Sequence, residues 1–352
     1  MPFREELLTL FPALTRIPRG AYVVGGAVRD LLLGREPADV DIACINPLEA
    51  AQCVRTKVIR LGDEEHLSAY RVVKDDRIYD FAALLDDNIH SDLGRRDFTV
   101  NAMAIDLDHD TLLDPHSGQR DLESHVVRMV DASNFDDDPL RTLKGVRMAI
   151  RFKFTLDDAT RDAIRQRAHR IADIATERVT YELAIIFSSH AFRRAVKMLQ
   201  DTGLAEALQL KPTLADEREE AGVGLGAAYA LLVDDPKSYA ERWKWSDHLL
   251  HEVQVLQRLI THHDRMALYD AGEAIALQLP PLLRVLGRDD RIDLPDFEIR
   301  ALLTGREIAE LTGLAPGREL GRIKRALLEA QVRGEIATRE DAAQFVTASA
   351  SR

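Results

Sequence analysis

One segment constrains the fold more than any other: YVVGGAVRDLLLGREPADVDIA, residues 22–43. A short apolar run, two glycines, a helical pattern closed by Gly34 and a second apolar run follow one another without a spacer. That order places a short helix between two strands. In a strand, residues i and i+2 share a face, so Asp39 and Asp41 point one way while Val40 and Ile42 face a core. Gly25 and Gly26 let the backbone approach a ligand closely, and amides at a helix start favour an anion. Arg29, one turn in, is placed to reach the same anion. Adjacent carboxylates are costly without a cation between them, and hard oxygen ligands suit Mg²⁺. Taken alone, the glycine pair is an ordinary tight turn and the Asp-x-Asp an ordinary solvated strand face.

The 352 residues are enough for several domains with a sizeable core. A formal net charge of −12 weighs against a surface that coats nucleic acid throughout, yet leaves room for a local basic track. The first residues, MPFREELLTLFPALTRI, read as an amphipathic helix with charges inside the apolar pattern, unlike a signal peptide. Apolar runs stop short of membrane-spanning length, and Cys44 and Cys53 lack metal-ligand spacing. The expectation is a cytoplasmic chain with no membrane partner.

Up to residue 134, AYVV, DVDIACI, SAYRVV and RIYDFAAL read as strands, with VKDDRI as the hairpin turn joining the last two. TVNAMAID and VVRMV continue the β character. After Pro139 helical periods take over, punctuated at Lys211-Pro212, Asp235-Pro236, Pro280-Pro281 and Pro316-Gly317. The expected class is α+β: a head over residues 1–134, then an all-helical neck (135–205), body (206–300) and tail (301–352). Asp80 sits between Tyr79 and Phe81 and so shows the opposite face from them. On a neighbouring strand it would complete a three-carboxylate site for two metals; alone, it is an ordinary hairpin residue.

Further stretches follow in order: RRDFTVNAMAID (95–106), DDPLRTLKGVRMAIRF (137–152) and TERVTYEL (176–183). With GGAVRDLLLG and DVDIA before them, they resemble the class II tRNA nucleotidyltransferases, the family of CCA-adding enzymes and bacterial poly(A) polymerases, as far as residue 205. LLTGREIAELTGLAPGRELGRIKRALLEAQVRGEIATREDA resembles that family's C-terminal tail, and residues 206–300 carry no matching motif. The resemblance implies a polymerase-β-like nucleotidyltransferase head binding Mg²⁺ through Asp39 and Asp41, with Asp80 as third carboxylate. It also implies tRNA as acceptor, CTP or ATP as incoming nucleotide, and two-metal phosphoryl transfer releasing pyrophosphate. Arg95, Arg96 and Asp97 would then handle triphosphate and ribose beside Asn101. Guanidiniums match phosphate oxygens, and a carboxylate accepts from a ribose 2′-hydroxyl.

Asp138, Pro139 and Arg141 have the pattern of a helix start, with Asp as N-cap and Pro at the first helical position. Residues i and i+3 also share a helix face, so Asp138 and Arg141 can act as one unit. An acceptor beside a donor complements the pairing edges of cytosine and adenine. Uracil and guanine present the reverse polarity and would leave buried groups unpaired, at about 1–3 kcal/mol each. The family pattern is Glu-Asp-x-x-Arg; Asp137 stands here at its first position, one methylene shorter. Arg147 is a further candidate for the nucleotide pocket.

In full CCA-adding members a flexible loop with an Arg-Arg-Pro-like signature precedes the Arg-Arg-Asp motif. Here that interval is AALLDDNIHSDLG, residues 82–94, with neither Arg nor Pro. A missing loop marks members that add two cytidines and leave the adenosine to a separate A-adding enzyme. CC addition is therefore expected, with full CCA addition as the alternative and an A-adding enzyme or poly(A) polymerase ranked below. In the tail, Arg318, Arg322, Lys324 and Arg325 cluster at a helix start, which suits an RNA backbone. His262, His263 and Asp264 contain a His-Asp pair, but His248, His251 and Asp270 lack convincing metal spacing around it. Trp243 and Trp245 are read as packing anchors before base-stacking platforms. A non-catalytic tRNA-binding scaffold would have lost these carboxylates or the Asp138–Arg141 pair, and all are present.

Overall fold

The computed structural model describes residues 3–55, 57–61, 69–189, 191–211 and 223–350. The chain divides into two compact units, Met1–Ile186 with Arg194–Leu208, and Phe187–Arg193 with Gln209–Arg352. Pro212, one of the expected punctuation points, lies outside the described residues.

The first unit is built on a seven-stranded sheet. Its strands are β1 (Tyr22–Val24), β2 (Asp39–Cys44), β3 (Ile59–Leu61), β4 (Ala69–Lys74), β5 (Arg77–Ala83), β6 (Ala104–Asp106) and β7 (Thr111–Leu113), in the order β3-β4-β5-β2-β1-β6-β7. All neighbours run antiparallel except β2 and β5, which are parallel. A parallel pair needs a crossover. Part of the chain between them forms β3, β4 and the helix Pro47–Val54. β2 alternates as its sequence demands: Val40 and Ile42 are buried, while Asp39 and Asp41 are exposed. β4 and β5 form the expected hairpin, turned by Asp75 and Asp76 at φ of 51° and 58°. Two-residue hairpin turns favour positive φ at both central positions, which Asp tolerates better than most residues.

In chain order the helices of this unit begin with α1 (Phe3–Leu10), α2 (Gly26–Leu32), α3 (Pro47–Val54), α4 (Ile89–Gly94), α5 (Gly118–Glu123) and α6 (Asn134–Asp137). Next come α7 (Arg141–Phe152), α8 (Asp158–Arg167), α9 (Thr176–Phe187), α10 (Phe192–Asp201) and α11 (Leu204–Ala207), of which α9 and α10 each extend across a unit boundary. Ile89 and Leu93 of α4 join Leu84, Val24, Ala43 and Ala104 in one apolar cluster, so the segment after β5 is packed against the sheet.

Two expectations need correction here. In TVNAMAID, Thr99–Asn101 forms a 3₁₀ turn and only Ala104–Asp106 is strand. Thr99 Oγ1 donates to the buried Asp121 carboxylate at 2.7 Å, and the Asn101 amide donates to Asp97 at 3.0 Å. Such side-chain bonds offer the backbone an alternative to a sheet ladder. VVRMV forms only a two-residue strand, β8 (Val126–Val127), paired with β9 (Thr155–Leu156).

The second unit has no strand among its described residues. Its helices continue as α12 (Leu225–Leu232), α13 (Pro236–Trp243), α14 (Asp247–Thr261), α15 (Arg265–Ala271), α16 (Glu273–Ala276) and α17 (Leu279–Val285), then α18 (Gly305–Thr312), α19 (Arg318–Val332) and α20 (Arg339–Ala350). Trp245 lies 4.4 Å from Tyr229 and 5.0 Å from Tyr239 between ring centroids, and Trp243 is buried beside Tyr239. Both tryptophans thus pack within the fold. A separate core gathers Ile308, Ile323, Leu327, Ala342 and Val346 from α18, α19 and α20. Among the described residues, no helix is long and apolar enough to cross a membrane.

Candidate active site

The strand register collects the acidic residues. Asp41 of β2 stands directly opposite Asp80 of β5, with Asp39 two residues back on the same face. Like charges and low dielectric both resist ionisation. Asp41 is open to water, yet the protein atoms crowding it push its carboxyl up to about 6, with Asp39 and Asp80 adding to the rise and Arg96 and Arg71 opposing it. This uncompensated negative charge on hard oxygen ligands fits a divalent cation held by Asp39 and Asp41.

Asp80 differs. Arg71 on β4 is its antiparallel partner, donating from Nε to Oδ1 at 2.7 Å and from Nη2 to Oδ2 at 2.6 Å. The expected three-carboxylate constellation is therefore two open carboxylates plus one bound by a guanidinium. Among the described residues, no three His, Cys, Asp or Glu side chains form a metal-holding group. Arg71 escaped the sequence reading, although the signal was present. With a two-residue turn at Asp75-Asp76, Lys74 pairs with Arg77, and stepping three residues outward on each strand sets Arg71 against Asp80.

The glycine turn lies against Arg96. Gly25 has φ of 75°, and a Cβ there would sit 2.7 Å from Arg96 Nη1 and 3.5 Å from Asp41 Oδ2. Glycine is thus required both by conformation and by the close approach of the guanidinium. Asp92, one turn earlier on α4, accepts from Arg96 at 3.0 and 3.2 Å and steadies it. Arg95 is exposed, with no ion pair among the described residues. Gly26 opens α2.

Arg29 is anchored beside the glycine turn. Its buried guanidinium donates to Asn101 Oδ1 at 2.6 Å and to Asp30 at 2.8 Å, and lies 4.6 Å from the Phe152 ring centroid. Burial lowers its pKa from the ordinary value. The guanidinium also lies against the helix start, where a Cβ at Gly26 would sit 3.5 Å from its Nη2, and it braces Asn101, which in turn holds Asp97 Oδ1 at 3.0 Å.

Asp138 and Arg141 flank the start of α7 but are held separately. The helix begins at Arg141, after a tight turn at Pro139-Leu140, so Pro139 is not its first residue. Asp138 Oδ1 still accepts from the Leu140 amide, at 3.2 Å. Arg141 donates to the Arg95 carbonyl at 2.8 Å and the Asn134 carbonyl at 3.1 Å. These carbonyls hold the guanidinium without Asp137, which is exposed and forms no ion pair among the described residues. Arg178 of α9 donates to Asp138, another contact the sequence did not disclose.

Arg147 faces Glu182 of α9. Its Nε lies 2.8 Å from Glu182 Oε2, off the hydrogen-bond line, as a buried charge pair between α7 and α9. Burial raises the Glu182 carboxyl, while Arg147, Lys144 and Arg178 oppose that rise and Asp138 adds to it.

In the second unit, α19 starts at Arg318. Arg322 pairs with Glu319, and Arg325 with Asp270 and Glu329. Arg318 and Lys324 are exposed, without an ion pair among the described residues. Asp264 accepts from the Ala267 amide at 2.8 Å as the cap of α15, and His263 Nδ1 lies 2.9 Å from the Leu259 carbonyl oxygen. The His-Asp pair thus serves the local fold.

Residues 21–128 match the family described as "Poly A polymerase head domain", and residues 153–217 that described as "Probable RNA and SrmB- binding site of polymerase A". The CC-adding tRNA nucleotidyltransferase of Synechocystis is 32% identical over 69% of this chain and 67% of its own. The A-adding tRNA nucleotidyltransferase of Deinococcus radiodurans is 29% identical over 95% of this chain and 96% of its own. Among solved structures, the Bacillus stearothermophilus CCA-adding enzyme in complex with CTP superposes with a TM-score of 0.75 at 26% identity, covering 100% of this chain and 98% of that one. The polymerase-type head, its ordered motifs and these relatives together place the chain in the class II tRNA nucleotidyltransferase family.

Proposed function

We propose that this family member is a CC-adding enzyme, transferring cytidines from CTP to the 3′ end of tRNA and leaving the terminal adenosine to a separate enzyme. The observation that carries this reading is the segment after β5. Leu84, Ile89 and Leu93 are buried, Asn88 caps α4 at the His90 amide, and Asp92 of α4 is tied to Arg96. A segment pinned at so many points has little freedom to reshape the pocket for a second, larger base.

Residues 1–134 carry the transfer, 135–205 the choice of base, 206–300 connect, and 301–352 hold the tRNA. Magnesium bound at Asp39 and Asp41 would supply positive charge for triphosphate oxygens and the attacking hydroxyl. Arg96, braced by Asp92 and facing the Gly25 turn, binds phosphate; Arg95 is free to join it. Asp97, oriented by Asn101 and Arg29, accepts from the ribose hydroxyl. Asp138 accepts from the cytosine amino group, and Arg141 donates to its acceptor edge after turning from its carbonyl partners. Arg318 and Lys324 meet the RNA backbone directly, while Arg322 and Arg325 must first leave their acidic partners.

The test offers the purified chain, with Mg²⁺, tRNA ending at the discriminator base or after CC, and labelled CTP and ATP separately and together. CC addition without A incorporation is expected. Completion to CCA would make it a full CCA-adding enzyme. Adenosine transfer only to tRNA ending in CC would align it with the Deinococcus relative. Loss of turnover in Asp39→Ala and Asp41→Ala, with tRNA binding retained, checks the metal assignment.

A further inference from the structure

We propose that Arg71 is a positioning residue that withholds Asp80 from the divalent cation, leaving two open carboxylates. The cation is then held weakly until a nucleotide triphosphate brings its own oxygens. The inference rests on the assignment of Asp39 and Asp41 as the cation's ligands, and extends it to a residue outside every motif.

Three features of the sheet carry it. Asp39, Asp41 and Asp80 share one face through the parallel register of β2 and β5, so an open Asp80 would stand directly beside the cation's ligands. Arg71 reaches Asp80 from the opposite strand with two parallel donors, at 2.7 and 2.6 Å, one to each oxygen. That fork is the strongest geometry a guanidinium offers a carboxylate and engages both oxygens at once. Asp39 and Asp41, by contrast, accept no side-chain hydrogen bond and form no ion pair among the described residues.

Charge count gives the consequence. Three open carboxylates would place three negative charges together and favour a resident ion. With Arg71 cancelling one, two remain. Mg²⁺ is commonly bound through one or two carboxylates plus substrate phosphates, and ligand charge tunes its affinity. The cation would then arrive with the triphosphate and leave with pyrophosphate.

The experiment titrates the full chain, without nucleotide, with Mn²⁺, reading free Mn²⁺ by electron paramagnetic resonance. Arg71→Met is expected to tighten Mn²⁺ binding by about tenfold, because it opens a third carboxylate. Adding Asp80→Asn to that variant should return the affinity to the wild-type value, whereas Asp80→Asn alone, which leaves the Arg71 charge uncancelled beside Asp41, should weaken it. Arg71→Lys, with one ammonium in place of a fork, should fall between wild type and Arg71→Met. A folded Arg71→Met variant with unchanged or weaker Mn²⁺ binding overturns the proposal. So does binding in the double variant as tight as in Arg71→Met, which would show that Asp80 is not what Arg71 withholds. If Arg71→Met does not fold, Arg71→Lys against the charge-neutral double variant still decides: Mn²⁺ binding no tighter in Arg71→Lys than in the double variant overturns the proposal. Mn²⁺ binding that survives Asp41→Asn would instead reject the ligand assignment beneath the inference.

Discussion

Arg178 donates to both carboxylate oxygens of Asp138, at 3.1 and 3.3 Å, from a helix 40 residues further along the chain. Lys144 Nζ lies 3.7 Å from the same carboxylate. If Asp138 accepts from the amino group of the incoming base, Arg178 sets its direction. A half-exposed ion pair is worth no more than about 1 kcal/mol, so Arg178→Ala should lower kcat/KM for CTP about fivefold. UTP incorporation should rise in the same variant, and Arg178→Lys should recover most of the discrimination. Steady-state kinetics with each nucleotide measures both; an unchanged CTP to UTP ratio removes Arg178 from base selection.

Gly25→Ala acts on the triphosphate side. The φ of 75° at this position is costly for a residue with a side chain, and the new Cβ would fall 2.7 Å from Arg96 Nη1. The strain should cost about 1–2 kcal/mol of stability. Displacing Arg96 should raise KM for CTP about tenfold, since small misplacements in a binding site are magnified in rate. Thermal melts and CTP kinetics separate the two effects. A normal KM in the destabilised variant would show that Arg96 does not depend on this turn.

The tail helices carry an acid-sensitive cap. Glu307 accepts from the Thr304 amide at 2.7 Å and pairs with Arg339, completing the capping box of α18. The Thr304 amide leads in holding its carboxyl down from the ordinary 4.5 to about 2, with the Thr304 side chain and Arg339 contributing. A carboxyl lowered in the folded state stabilises above its unfolded pKa, and that contribution is lost as pH falls from about 4.5 through about 2. Glu307→Gln should therefore lower the melting temperature at neutral pH and leave it unchanged below the folded pKa. Equal effects at both pH values would deny the linkage.

For the tail as an RNA-binding surface, the unpaired cations are the informative ones. Each lost phosphate contact should reduce the slope of log affinity against log salt by about 0.7–0.9. Arg318→Ala with Lys324→Ala should then flatten the tRNA binding slope by about 1.5, while Arg322→Ala, already neutralised by Glu319, should change it less. A double variant with an unaltered slope would place the RNA elsewhere.

What could be read from the chain was whatever depends on local periodicity. Alternation in DVDIAC gave the face of Asp39 and Asp41, Tyr79 and Phe81 gave the opposite face from Asp80, and VKDDRI gave a hairpin. Pairings between distant charges were hidden, because many cations can satisfy one carboxylate and only the packed fold selects among them. Nothing local in the sequence pairs Arg147 with Glu182 or Arg29 with Asn101. Arg178 lies within TERVTYEL, but nothing there showed its pairing with Asp138, which sits in the turn between α6 and α7. Arg71 is the exception: its opposition to Asp80 follows from turn length by counting outward.

That turn has a consequence for how this chain can vary. Side chains on a strand change face at every step, so an insertion at Asp75-Asp76 that moved the register by a single place would turn every β4 side chain over. Arg71 would swing toward the interior beside Val72's present neighbours, and Asp80 would be left without its counterion. Length at this bend is therefore coupled to a carboxylate four residues away, and an insertion that moves the register should alter cation binding in the same sense as Arg71→Met.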